Sequence, residues 1–402
     1  SDTEAQNLIM QHLNSNETKT LCQTLQFFRS NQSLLEIDMF QAWLSHGSQD
    51  VRNEALRLLA FQSNSALIDD IIQNLESPRT WKNAIVALKN QDDSKVQEAI
   101  NERLIKKETS NDLLDGIIRG LLDLKILTST TPLINLLSSH NLELSETISN
   151  TLLAISRQST LDSKHIADID KKIISLSKQA YVLEYFLDQI ENGRSANLIV
   201  DQIRRELGTI VPLLLKLGAL EKPSIPIETY VHYISAQDPV FLPLVLETVD
   251  STFSVANRKS ILPLIDSAQD KVKISIVACP ELAHKYDDIF DEWLSSGSEW
   301  KLAIGLHYAI TTRRTTFLGA TELSRLDECF GLPELLNREE YRYLRDQASR
   351  CNLNKQKEVP MYSIIEKTFF LKTVELFREI PGDILADIAQ ISEETRLESN
   401  RF

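Results

Sequence analysis

Seven histidines are the residues best suited to binding metal or moving protons: His12, His46, His140, His165, His232, His284 and His307. No two stand in HxH or HExxH spacing, the arrangements that put donors on one helix face or strand. His46 and His140 sit in corresponding links between helical stretches and read as polar loop residues. A zinc centre needs three or four convergent donors, which this scatter does not show. Asp287, Asp288, Asp291 and Glu292 are a dense carboxylate run, and paired carboxylates can do acid–base work. Their helical spacing around Ile289, Phe290 and Trp293 reads instead as a solvated face. Trp81, Trp293 and Trp300 fall where helices should pack and read as core. The four cysteines, Cys22, Cys279, Cys329 and Cys351, include no CxxC pair and give no disulfide framework. They read as reduced, buried thiols. There is no GxGxxG, GxxxxGK[ST] or GxSxG motif. The expectation is a non-enzymatic chain with no catalytic, cofactor-binding or metal residues and no cofactor. Individual binding residues cannot be picked from the pattern.

Composition bounds the partners. The 402 residues carry a net charge of −14. An acidic chain repels phosphate backbones unless its cations cluster on one face. Lys171-Lys172, Arg204-Arg205 and Arg313-Arg314 are isolated pairs and read as solvated helix faces, so no nucleic-acid partner is expected. The stretch Ile210 to Leu220 is far short of the ~20 apolar residues a spanning helix needs, and Lys216 interrupts it. No signal peptide is visible. A soluble, cytoplasmic chain is expected. It begins without Met and stops mid-pattern, so it reads as a fragment of something longer.

The elements that would position any site are helices. Gly (11) and Pro (12) are sparse, and Leu, Ile, Ala, Glu and Lys favour helix over strand. Residues 43–48 read WLSHGS and residues 293–298 read WLSSGS, with a looser copy, LLSSH, at 136–140. Helices with small residues on one stripe follow: Asp50 to Ala60, Trp81 to Leu88, Asn111 to Leu124 and Leu144 to Ile155. Aligning Ala55, Ala84, Ile117 and Ile148 gives a period of about 30 residues, the mark of an α-solenoid. Asp50 and Ser77-Pro78 are expected to cap their helices. Longer helices are expected at Ser163–Ser177, Ala180–Glu191 and Ala196–Leu220. Pro223 to Ile227 is a break, and Asp238 to Asp266 resumes the helix–link–helix plan. Residues 349–360 read as a linker.

The Asp50-Val51-Arg52 opening with Ala55-Leu56 following resembles HEAT-type repeats, best over 40–160. The expected fold is therefore an all-α, HEAT-like superhelix with a C-terminal helical extension. Residues 204–220, 238–266, 293–310 and the C-terminal segment together resemble the soluble tail of bacterial ATP/ADP-translocase-like membrane proteins. There, a transporter-like membrane domain is followed by HEAT repeats and a cyclic-nucleotide-binding domain. Phe370-Leu371, Val374, Leu376-Phe377, Ile380-Pro381, Leu385, Ile388 and Ile391 resemble the opening helices of such a nucleotide-binding domain. None of the phosphate-holding residues of its β-roll is present.

This resemblance implies three parts: an N-terminal arc at 1–222, a C-terminal arc at 223–355, and the truncated helical start of a cyclic-nucleotide-binding-like domain at 361–402. It implies a scaffolding or regulatory region that couples a sensor domain to a transporter-like domain through protein contacts. The partner would be another protein or adjacent domains of the same polypeptide. Membrane contact would come only through segments outside this chain, on the cytoplasmic face of the inner membrane. Two alternatives stand beside it: a free-standing protein-binding scaffold, and a HEAT-fold enzyme on nucleic acid of the alkylpurine-glycosylase kind. The acidic charge opposes the second.

Overall fold

Helix formers and rare breakers produce a chain whose backbone polar groups are satisfied locally, turn by turn. The computed structural model describes residues 17–28, 37–106, 108–126, 130–137, 141–190, 197–266, 268–295, 299–311 and 364–392. Among these the protein is all-α, with nineteen α-helices, short 3-10 turns and no strand. His12, His140, Arg313-Arg314, Cys329, Cys351 and the 349–360 linker lie outside the described residues. Two compact units are formed, and they interleave along the chain. The first comprises Ser1–Ile173, Leu213–Tyr233 and Ser251–Asn257. The second comprises Ile174–Pro212, Ile234–Asp250 and Arg258–Phe402. Pro223 falls within the first unit's second segment.

In the first unit the helices form two rows. α1 (Thr18–Phe28), α3 (Gln49–Leu59), α5 (Trp81–Leu88), α7 (Asn111–Asp123) and α9 (Leu142–Gln158) pack successively. α2 (Ile37–Leu44), α4 (Ile68–Gln73), α6 (Asp93–Ile105) and α8 (Thr130–Leu136) make the other row. Ala55, Ala84, Ile117 and Ile148, at matching positions of α3, α5, α7 and α9, are all 0% exposed. Small or branched side chains there let neighbours approach closely. Side-chain hydrogen bonds then stitch each turn of chain to the next. Gln49 Nε2 donates to Ser77 Oγ (3.3 Å), Asn74 Nδ2 to the Leu44 carbonyl (3.1 Å), and Lys172 Nζ to the Leu137 carbonyl (2.8 Å). These partners lie 28 to 35 residues apart.

The unit's end is closed differently. Lys216 Nζ meets Glu146 at 2.9 Å, and Arg157 grips both carboxylate oxygens of Glu228 at 2.8 and 3.0 Å. Asn257 Nδ2 donates to Asp170 at 2.7 Å. These pairs span 70, 71 and 87 residues.

Three local expectations need correction. Ser163–Ser177 and Ala180–Glu191 do not form two helices. α10 runs unbroken over Ser163–Ile190, because Lys178-Gln179 contains no breaker and burial of Leu176, Ala180 and Leu183 rewards continuity. Asp50 lies in the first turn of α3 but makes no cap bond; the cap residue is Ser48, with no side-chain hydrogen bond. Its charge still suits the helix dipole. The residue capping α5 is Thr80, not Ser77. Thr80 Oγ1 turns back to the Asn74 carbonyl at 2.6 Å.

The second unit is built around aromatic rings. Phe186 of α10 packs edge-on to Tyr286 and Phe290 of α16 (Tyr286–Ser295), with centroids 5.3 and 5.1 Å away. Trp293 stands 5.6 Å from Phe290. Beside them lies a buried polar network. Glu206, on α11 (Asn197–Gly218), accepts from Trp293 Nε1 at 2.9 Å and from Gln202 at 2.9 Å, and pairs with Lys301 at 3.0 Å. Lys301, on α17 (Glu299–Thr311), also lies 4.6 Å above the Trp293 ring centre. Burial holds its pKa below the usual lysine value.

His307 of α17 is 9% exposed, its ring 5.4 Å from that of Phe369 on α18 (Ile364–Thr373). Burial pushes its pKa from 6.5 down to about 4, and Glu366 acts in the opposite direction. The folded state therefore binds fewer protons than the unfolded chain, and stability is full above the unfolded value. The second unit should lose about 3 kcal/mol as pH falls from about 6.5 to about 4. Urea unfolding against pH checks this, and His307→Phe should flatten the slope in that window.

Candidate functional site

The two-row packing leaves one exposed stripe on the α3–α5–α7–α9 row. Two residues after each aligned core position stand Arg57, Val86, Arg119 and Asn150, all exposed. Behind the stripe, polar side chains bridge neighbouring helices. Asn83 Nδ2 donates to Asn53 Oδ1 at 2.6 Å, and Thr147 Oγ1 donates to Asp115 at 2.8 Å. Between α5 and α7 the corresponding place is taken by Gly116. There Trp81 donates its Nε1–H to the Gly116 carbonyl at 2.8 Å. Trp81 is only half-buried there, not core as expected, whereas Trp293 (6% exposed) and Trp300 (5% exposed) are core.

Two depressions open on this row. The first, of about 260 Å³, is lined by Arg57, Ala60, Phe61, Asn83 and Val86. Phe61 and Val86 are 70% and 52% exposed, so both apolar side chains are open to a partner. The second, of about 960 Å³, lies on α7 and α9. Asp112, Asp115, Glu143, Glu146 and Arg119 line it, with Asn111, Asn141 and Asn150 among the other lining residues, and Glu146 is also held by Lys216. Arg119 is held by Asp115 at 2.8 Å. The row thus offers an apolar hold on α3–α5 and an acidic, amide-rich trough on α7–α9. This chemistry suits capture of a polypeptide segment carrying a large apolar side chain and basic side chains.

The residues singled out in the sequence fall elsewhere. His46 Nδ1 accepts from the Ser48 amide at 3.0 Å, a link-internal role, and Arg52 donates to the His46 carbonyl at 2.6 Å. Asp287, Asp288 and Glu292 share α16, and Asp287 and Asp288 occupy its first turn. Among the described residues no group of three or more His, Cys, Asp or Glu could hold a metal ion. Cys279 is buried and Cys22 half-buried. Burial, with nearby carboxylates, raises both thiol pKa values. Arg57, Phe61, Val86, Asp115 and Glu143 were not picked from the sequence. The signal that finds the stripe is the aligned core position moved forward by two.

No helix among the described residues is long and apolar enough to cross a membrane. No protein-family model matches the chain, and no curated protein matches it.

Proposed function

We propose that this chain is a non-enzymatic, HEAT-like helical scaffold that works by protein–protein contact through the α3–α9 row of its first unit. The observation that carries the proposal is the pairing of an exposed apolar hold, Phe61 and Val86, with a trough lined by four carboxylates, two of them held by Arg119 and Lys216. The stitching of helix pairs by bonds spanning 28 to 35 residues supports a stacked-repeat architecture. A photo-reactive residue at position 86, in cells carrying the whole protein, should give one discrete adduct, a cross-link either to another polypeptide or to one segment of the same polypeptide. Phe61→Glu should remove at least about nine-tenths of it, since burying a carboxylate in an apolar contact costs more than 1.4 kcal/mol. No adduct, or one indifferent to Phe61→Glu, would overturn the proposal.

The wider role follows the family resemblance: the scaffold couples a nucleotide-sensing domain to a transporter-like membrane domain, with another protein or adjacent domains of the same polypeptide as partner. Support comes from the C-terminal pair α18 and α19 (Gly382–Ile391), two short apolar helices joined by a 3-10 turn at Glu375–Phe377. Sequencing the complete transcript tests this. Spanning helices upstream and a β-roll downstream are expected; a reading frame closed at both ends defeats it in favour of a free-standing scaffold. Saturable duplex-DNA binding at physiological salt would favour the nucleic-acid enzyme instead.

A further inference from the structure

The C-terminal pair α18 and α19 is a small body with a core of its own. Ile365, Thr368, Leu385, Ala386 and Ala389 are each at most 1% exposed. The two helices pack on each other more extensively than on α11 or α17. Lys372 Nζ donates to the Arg378 carbonyl at 3.0 Å and closes the turn between them. Lys367 Nζ donates to the Ser392 carbonyl at 3.3 Å, just past the end of α19. Phe370, Val374 and Leu376 stand 56%, 47% and 78% exposed, so burial against the rest of the unit takes up only part of the pair's apolar surface.

The seam with α11 and α17 is built otherwise. Lys372 meets Asp201 of α11 at 3.2 Å, and Arg205 of α11 reaches both carboxylate oxygens of Asp383 at 2.8 Å. Asp201 and Arg205 are one turn apart, so one face of α11 presents a negative and a positive charge. The pair answers with a positive and a negative one. Docking the other way round would set Lys372 beside Arg205 and Asp383 beside Asp201, like against like. The clips therefore fix orientation more than strength. The side chains of Asp201, Arg205 and Asp383 are 46%, 41% and 40% exposed, and such pairs are weak and screened by salt. Trp300 seats at Gly382, where a Cβ would stand 2.7 Å from its Cζ2, and the rings of His307 and Phe369 lie 5.4 Å apart. Beside these contacts a space of about 690 Å³ is lined from both sides, by Leu198 and Trp300 and by Phe369 and Pro381. The seam thus lacks the close packing of a core.

We propose that α18–α19 is a strap that docks on α11 and α17 as one body and releases from them while the rest of the second unit stays folded. An element with its own core and a loosely packed, charge-clipped seam opens at lower cost than the whole unit. Docked, the strap withholds the apolar surface of Leu198 and Trp300, which are 3% and 5% exposed. Release uncovers it. The strap is independent of the first unit's protein contacts.

Pulsed electron-resonance distances test it on the full chain, with the four native cysteines replaced by alanine and nitroxides on Gly208→Cys of α11 and Gln390→Cys of α19. At about 0.05 M salt a short distance should dominate, and a longer one should grow toward about 0.5 M as the clips are screened. Arg205→Asp and Asp383→Arg should each raise the ratio of long to short about tenfold, because attraction becomes repulsion. Combined, they restore complementary charges and should bring the ratio back to within about twofold of the parent. Helix content by circular dichroism should stay constant throughout. A single distance in every variant at both salt concentrations overturns the strap, as does a double variant no better than the single ones. A long distance that appears only together with lost helix content is unfolding, and overturns it as well.

Discussion

Glu206→Gln should destabilise the second unit by about 3 kcal/mol, because it leaves a buried ammonium without its counter-charge. Glutamine is nearly isosteric and can still accept from Trp293, so packing is preserved and charge is what changes. Lys301 is 7% exposed and Glu206 is 7% exposed, so water cannot replace the lost partner. The remaining Trp293 ring face, 4.6 Å from the ammonium, compensates only part of the loss. The double variant Glu206→Gln with Lys301→Met should recover most of the loss, since an apolar pair of similar volume is often neutral relative to a buried ion pair. The pH dependence follows from the lysine. Its folded pKa lies below the unfolded value of 10.5, so the folded state sheds its proton first. Stability of Glu206→Gln should therefore rise with pH toward that unfolded value. Urea unfolding of the three proteins at two pH values decides the matter. A single variant as stable as the parent would mean that Lys301 reaches water by a small rearrangement.

Gly116→Ala should cost the first unit about 2–3 kcal/mol, although alanine is the better helix former. A Cβ at this position would overlap the Leu75 carbonyl oxygen, which is backbone and cannot rotate aside. The helix must shift, straining the Trp81 bond to the Gly116 carbonyl as well. Gly208, on α11, provides the opposite sign. It is exposed and has nothing within 4 Å of a built Cβ. Gly208→Ala should stabilise the second unit by about 0.8 kcal/mol through propensity alone. Thermal unfolding of both variants checks the pair.

The all-helical class and several helix positions were legible in the sequence because their causes are local. Trp81 to Leu88 was read with the bounds it has, and the aligned residues Ala55, Ala84, Ile117 and Ile148 lie fully buried. Small residues at helical spacing report their own environment. Arg204-Arg205 shows where locality ends. It reads as a solvated pair, yet Arg205 finds its carboxylate 178 residues away on Asp383. Glu206, the adjoining residue, finds Trp293 at a separation of 87. No periodicity within one helix announces such partners. The unbroken α10 was missed for a related reason: Ser177 looks like a boundary by propensity, but it is 2% exposed and lies among buried neighbours that hold the helix together.

The bonds joining residues 28 to 35 apart carry a mechanical consequence. Because each helix pair of the first unit is fastened chiefly to its sequence neighbours, tension applied at the N-terminal end would meet the fastenings in series. Pairs would let go one at a time, each releasing about 100 Å of contour from its ~30 residues. Arg157–Glu228, Lys216–Glu146 and Asn257–Asp170 reach across 70 to 87 residues and lock the other end. Under such tension the first unit would lengthen from its N-terminal end and hold at the other.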